Sequence, residues 1–163
     1  EMQWSLVGSE MCIRDRIMGV YAPQVVRPIA EALAALGATR AVVFHSDDGL
    51  DEISVSAPTR LAHIEDGAVR EEAIDPESLG VPLAPREAVQ ARDLEHAVAM
   101  VRDIVTGDDT GAPRDMALLS AAATLLVAGL ANDMASGLAQ SRDAIESGRA
   151  SAALEKLVAC SQA

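Results

Sequence analysis

Two adjacent carboxylates, Asp51 and Glu52, are the side chains of this sequence whose type and spacing are best suited to chemistry. They belong to the segment Gly49-Leu50-Asp51-Glu52-Ile53-Ser54, which follows a short apolar run at residues 40–45. A run of this kind, β-branched and aromatic, is typical of a strand buried on both faces. Because ligands of open α/β sheets bind beyond the carboxyl ends of the strands, the pair is placed to hold a divalent cation.

A helix and a hairpin flank this predicted strand. Residues 23–37 repeat apolar side chains at helical spacing, although Pro28 requires that the helix bend there or begin later than residue 23. Residues 59–64 and 68–74 are predicted to be two strands, because Asp-Gly between them is a strong hairpin signal.

The second half of the chain is predicted to be helical. Residues 94–105 carry the apolar stripe of an amphipathic helix. Residues 115–131 are apolar on nearly every side, which predicts a central helix that is buried all round. Two more helices are expected at 134–147 and 150–160, with Gly148 between them. The fold class that follows is α/β, a sheet flanked by helices.

Length and charge limit the possible functions. A chain of 163 residues with 50% hydrophobic residues is long enough for one domain with a substantial core. The formal net charge of -12 argues against a nucleic acid partner, because contacts to phosphates need clustered Lys and Arg.

Cysteine usage and hydropathy indicate the compartment. Cys12 and Cys160 lie at opposite ends without metal-ligand spacing, which favours a reduced, cytoplasmic environment. The apolar stretch at 116–131 is too short and too rich in alanine to span a bilayer. We therefore expect a cytoplasmic protein that has no membrane partner and no cleavable signal peptide.

The first residues differ from the rest. Residues 1–16 show no periodicity that continues into the following sequence, and they resemble translated adaptor sequence. We predict that they are a non-native, disordered leader and that the domain occupies residues 17–163. On this hypothesis the natural protein has lost its own amino-terminal portion.

Several short motifs resemble the carboxyl-terminal half of the anthranilate phosphoribosyltransferase family. The most specific is the Asp-Glu element in its Gly-Leu-Asp-Glu-Ile-Ser setting. The segments that carry the resemblance are Gly19-Val20-Tyr21, Val26-Arg27-Pro28-Ile29-Ala30, Leu36-Gly37, Gly49-Leu50-Asp51-Glu52-Ile53-Ser54, Pro58-Thr59 and Ala128-Gly129-Leu130-Ala131. The resemblance implies the later part of a catalytic domain of the anthranilate phosphoribosyltransferase and nucleoside phosphorylase type.

The resemblance also implies an activity. The family transfers the phosphoribosyl group of phosphoribosyl pyrophosphate to anthranilate, in tryptophan biosynthesis, and releases pyrophosphate. It requires Mg²⁺, for which Asp51 and Glu52 would be the metal-binding carboxylates. The family's glycine-rich phosphate loop lies upstream and does not occur in residues 17–163, so we expect half a site and no activity from this chain alone. The full-length protein is expected to be a homodimer.

Other interpretations remain open at this stage. Without the resemblance, the acidic residues would be interpreted as an ordinary solvated turn. An EF-hand is excluded, because with Gly49 at its sixth position Phe44 falls at the first, where a carboxylate is needed. A related pentosyltransferase such as a nucleoside phosphorylase, or a non-catalytic acidic protein-binding module, is the alternative function. His45 is left outside the site, as a histidine bonded to backbone, and His63 is expected at the surface.

Overall fold

A computed structural model describes residues 15–162, which form one mixed sheet and a set of helices. The strands are β1 Asp15–Gly19, β2 Arg40–Ser46, β3 Thr59–Glu65 and β4 Ala68–Ile74. The α-helices are α1 Val26–Ala35, α2 Leu94–Thr106, α3 Ala112–Val127, α4 Met134–Glu146 and α5 Arg149–Ser161. Short 3-10 turns occupy Pro23–Val25, Pro76–Leu79 and Arg86–Val89.

Helices cover both faces of a sheet with the strand order β1-β2-β3-β4. Strand β1 is parallel to β2, while β2, β3 and β4 are successively antiparallel. On one face Val43 and its neighbours pack against α1, and on the other Val42 and Phe44 pack against α3. The predicted α/β class, a helix-flanked sheet, is confirmed, as is the strand at 40–45 with burial on both faces.

Strand β1 corrects the predicted boundary of the leader. The strand begins at Asp15, and Asp15 and Arg16 pair with Arg40 and Ala41 of β2, so the last two residues of the stretch 1–16 belong to the sheet. Their polar side chains hide the strand from any analysis of hydrophobic pattern, since the pairing is made by backbone. Residues 1–14, for which we predict a disordered leader, lie outside the described residues.

The predicted hairpin and the start of the first helix are both confirmed. Strands β3 and β4 pair through the turn at Asp66 and Gly67, whose φ values are 49° and 79°. These left-handed values at both central positions are those of a type I′ turn. Helix α1 begins at Val26, so Pro28 lies in its first turn, where its missing N–H leaves no helical hydrogen bond unmade.

Helix α3 is less enclosed than its composition predicts. It ends at Val127 rather than 131, and Ala121 and Thr124 are exposed. The sheet, α2, α4 and the 3-10 turn Arg86–Val89 pack against α3 but leave these two residues open. Alanine is small enough to lie on an open face at little cost. None of the helices within residues 15–162 combines the length and apolar character needed to cross a bilayer.

The contact between α3 and α4 depends on Gly137. A Cβ added there would lie 2.8 Å from the carbonyl oxygen and 2.9 Å from the Cα of Ala122, so the two helix backbones meet at the glycine. We expect Gly137→Ala to destabilise the fold by about 1–3 kcal/mol, because the helices must separate. Urea unfolding followed by circular dichroism measures this change. Helix propensity alone predicts the opposite sign, a gain of about 1 kcal/mol, and that result would contradict the packing argument.

Candidate functional site

The acidic segment lies in the loop that follows β2, at the edge where the parallel strands β1 and β2 both end. Gly19, the last residue of β1, lies directly against this loop. A Cβ added to Gly19 would overlap the carbonyl oxygen of Asp51 and approach the Phe44 ring to 3.1 Å. Only glycine permits this approach, so the position of Asp51 depends on the end of β1.

Backbone hydrogen bonds fold the loop back onto the end of β2. The Ser46 N–H donates to the Leu50 carbonyl and the Gly49 N–H donates to the Ser46 carbonyl, both at 2.9 Å. The Asp47 N–H reaches the Pro58 carbonyl, also at 2.9 Å. Gly49 has a φ of 89°, which is the left-handed region that favours glycine. These bonds give the acidic segment a defined shape before any ligand arrives.

Two of the four acidic side chains in the loop are used by the fold. The Arg60 Nε donates to Asp47 Oδ1 at 2.8 Å on the surface. Asp48 accepts from the Leu50 N–H at 3.1 Å and from the Ser54 hydroxyl at 2.6 Å. Burial acts to raise the pKa of Asp48, but these hydrogen bonds outweigh burial and lower the pKa below its ordinary value.

The other two acidic side chains, Asp51 and Glu52, remain available. Both are exposed, and within residues 15–162 no donor hydrogen-bonds to the Asp51 carboxylate. Burial and the neighbouring Asp51 charge raise the pKa of Glu52, against a hydrogen-bonding interaction with Ser120 of α3 that lowers it. The Asp51 charge is thus close enough to disfavour ionisation of Glu52.

This donor set fits a hard divalent cation. Two adjacent carboxylates that repel each other gain from a shared positive charge, and Mg²⁺ is commonly held by one or two carboxylates with water and substrate phosphate oxygens. A closed cage is absent: no group of three or more His, Cys, Asp or Glu side chains in the described part of the chain is arranged around a metal position. The pair therefore suits a cation whose remaining coordination positions are filled by water or by a phosphorylated ligand.

Two cavities lie away from the carboxylate pair. One of about 630 Å³ opens beside Arg40 and His63, towards the start of β2, and another of about 760 Å³ lies between α2 and α5. Asp51 and Glu52 line neither of them. The carboxylate pair thus occupies an open edge of the described domain, and residues 15–162 do not enclose it in either cavity.

The histidines lie outside the acidic loop. His45 is buried and its Nδ1 is 2.7 Å from the Val20 carbonyl oxygen, which agrees with the prediction of a backbone-bonded histidine. The prediction that His63 lies at the surface is wrong: its side chain is only 13% exposed and pairs with Glu72 at 2.7 Å. The alternation of side chains along β3 places His63 on the same face as Leu61, which packs in the cluster formed with α3.

Sequence reasoning missed three residues that shape the site. They are Gly19 on β1, Ser120 on α3 and Arg86, whose Nη1 donates to the Asp48 carbonyl oxygen at 3.4 Å. All three come from other elements, so no local pattern reveals them. The place of Gly19 in the Gly19-Val20-Tyr21 motif is the single signal that could have been followed.

The fold and this edge of the sheet define the class of protein. The chain belongs to the glycosyl transferase family, a/b domain, whose family model matches residues 8–151. The individual relatives are more specific. An anthranilate phosphoribosyltransferase from Methylobacterium nodulans is 43% identical over 151 residues, which is 93% of this chain and 44% of the relative.

Solved structures give the same result. The crystal structure of anthranilate phosphoribosyltransferase from Thermus thermophilus superposes with a TM-score of 0.83 at 33% identity, over 92% of this chain and 44% of that protein. The Saccharomyces cerevisiae enzyme in complex with PRPP and Mg has a TM-score of 0.77 at 21% identity, over 86% and 41%, and shows the fold alone. The resemblance predicted from the motifs is confirmed, and the chain spans less than half the length of these relatives.

Proposed function

We propose that this chain is part of an anthranilate phosphoribosyltransferase, in which Asp51 and Glu52 bind the Mg²⁺ that accompanies phosphoribosyl pyrophosphate. The observation that carries the proposal is the pair of exposed, adjacent carboxylates in the loop at the ends of β1 and β2. A relative of 43% identity with this activity in its name supports the choice of acceptor. The yeast relative, whose structure holds PRPP and Mg, supports the choice of metal.

The proposed chemistry requires charge stabilisation at the leaving group. As the bond between the ribose carbon and pyrophosphate lengthens, negative charge grows on the pyrophosphate oxygens, and bound Mg²⁺ supplies a positive charge at that place. Asp51 and Glu52 hold the positive charge at the sheet edge, and Gly19 keeps their backbone against β1. By analogy with other loose transfers, no covalent nucleophile is needed from this chain.

The rest of the proposed site lies beyond the matched segment. Because the relatives are more than twice as long as the part matched, we assign the phosphate loop and the anthranilate-binding residues to the part of those relatives that this chain does not span. The open position of Asp51 and Glu52 agrees with this assignment, since a second segment would have to cover them. Dimer formation by the whole protein stays a prediction.

A chimeric enzyme tests the proposal. The amino-terminal part of the Thermus thermophilus enzyme, up to the start of the matched segment, is joined to residues 15–163 of this chain. We expect Mg²⁺-dependent consumption of anthranilate, followed by its fluorescence, when phosphoribosyl pyrophosphate is supplied. A folded chimera that has no activity, or whose activity does not depend on Mg²⁺, would contradict the proposal. The chimera tests what this chain contributes to the metal site, because its acceptor-binding residues come from the Thermus thermophilus part.

A further inference from the structure

We propose that Asp48 is a positioning residue, which fixes the turn bearing Asp51 and Glu52 and does not itself bind the cation. This inference rests on the proposed function in one respect, that a cation binds at Asp51 and Glu52. It assigns different roles to four neighbouring acidic residues, Asp47, Asp48, Asp51 and Glu52. All four carry carboxylates, so residue type alone does not distinguish these roles.

The Asp48 carboxylate joins the two sides of the pair. Its Oδ1 accepts the N–H of Leu50, the residue immediately before Asp51, at 3.1 Å. Its Oδ2 accepts the hydroxyl of Ser54, two residues after Glu52, at 2.6 Å. Both oxygens of Asp48 are therefore hydrogen-bonded. This one side chain closes the segment from Leu50 to Ser54, which contains Asp51 and Glu52.

Ser54 connects this arrangement to the sheet. Its side chain is buried, and its Oγ accepts the Ser56 N–H at 2.8 Å while donating to Asp48. The Ser54 N–H donates to the Thr59 Oγ1 at 3.2 Å, at the first residue of β3. Through Ser54, Asp48 anchors the turn to a strand whose own position is fixed by pairing with β2 and β4.

The need for such an anchor follows from electrostatics. Two adjacent carboxylates repel, so a loose turn would let Asp51 and Glu52 rotate apart and would require ordering energy when the cation binds. A turn closed by Asp48 and Ser54 holds their backbone in advance. Asp47 gives the matched contrast, because its carboxylate meets Arg60 on the surface and bonds to neither side of the pair.

Metal titration of the 163-residue chain tests the proposal. Mn²⁺, a paramagnetic substitute for Mg²⁺, is titrated and followed by electron paramagnetic resonance. We expect Asp48→Asn and Ser54→Ala each to raise the Kd by about 10-fold, as observed for residues that orient metal ligands. The double variant should add little, less than about 2-fold, because both changes break the same hydrogen bond. Asp47→Asn, which removes the same charge, should change the Kd by less than about 2-fold.

Other outcomes identify other roles. If Asp48→Asn raises the Kd for Mn²⁺ and Ser54→Ala leaves it unchanged, Asp48 is a direct ligand. That result would overturn the proposal. Unchanged Kd values with a lower thermal midpoint would show a structural role only, which overturns it as well. If Asp48→Asn does not fold, Ser54→Ala alone decides, since it alters no charge. Binding that survives Asp51→Asn with Glu52→Gln would contradict the proposed metal ligands instead, and a parent chain that binds no Mn²⁺ overturns both.

Discussion

The double variant Asp51→Asn, Glu52→Gln in the chimeric enzyme is expected to lose at least about 100-fold in kcat/KM, because charge on the leaving pyrophosphate is no longer balanced. The substitutions are nearly isosteric, and no hydrogen bond to the Asp51 carboxylate within residues 15–162 is lost. The fold should therefore survive. Activity is measured as a function of Mg²⁺ concentration, with circular dichroism as the check on folding.

Asp47→Asn is the matched control for this prediction. It removes one negative charge from the same loop, but its partner is the exposed Arg60 side chain. We expect kcat/KM within about 2-fold of the parent, since exposed ion pairs contribute little. If the double variant kept the parent's dependence on Mg²⁺, neither Asp51 nor Glu52 could be a metal ligand.

Gly19→Ala is expected to have the second large effect, although residue 19 carries no chemistry. The new methyl group would overlap the Asp51 carbonyl oxygen, so either β1 or the acidic loop must move. We expect a loss of about 3 kcal/mol or more in the free energy of unfolding, at the upper end of the cost of overpacking. We also expect weaker Mn²⁺ binding in the fraction that remains folded. Urea unfolding of the 163-residue chain and the Mn²⁺ titration measure the two effects.

Gly111→Ala is the comparison for Gly19→Ala. A Cβ at Gly111 would meet its nearest atom, Asp109 Oδ1, at 3.4 Å, which is ordinary van der Waals contact. As the N-cap of α3, Gly111 tolerates alanine with a loss of less than about 1 kcal/mol. Equal stability losses for the two variants would show that the close approach at Gly19 is not the cause.

The parts of the fold that could be predicted from the sequence are those set by local chemistry. The apolar run of β2 requires burial, and Asp66 with Gly67 adopts the two left-handed conformations of a tight hairpin. Helix α2 ends where predicted, at Gly107 with a φ of 85°, because glycine stops a helix in that conformation. In each case a few neighbouring residues determine the structure.

The parts that could not be predicted are set by residues distant in sequence. The start of β1 at Asp15 depends on backbone pairing with Arg40, which side-chain pattern does not reveal. The separate roles of Asp47 and Asp48 depend on Arg60 and Ser54, partners that the loop meets only after it folds. The sequence motif at residues 49–54 is sufficient to single out Asp51 and Glu52. Their assignment as metal ligands stays a prediction.

Strand β1 has a practical consequence for biochemistry on the isolated chain. Among residues 15–162 it is the terminal strand of the sheet, with a neighbour on the β2 side only, and Ile17 on it is 39% exposed. A terminal strand with unpaired backbone groups and an exposed apolar side chain can pair with strands of other molecules, which leads to oligomers and precipitation. Dilute samples, or a fusion that shields this border, are therefore the appropriate starting material for the titrations.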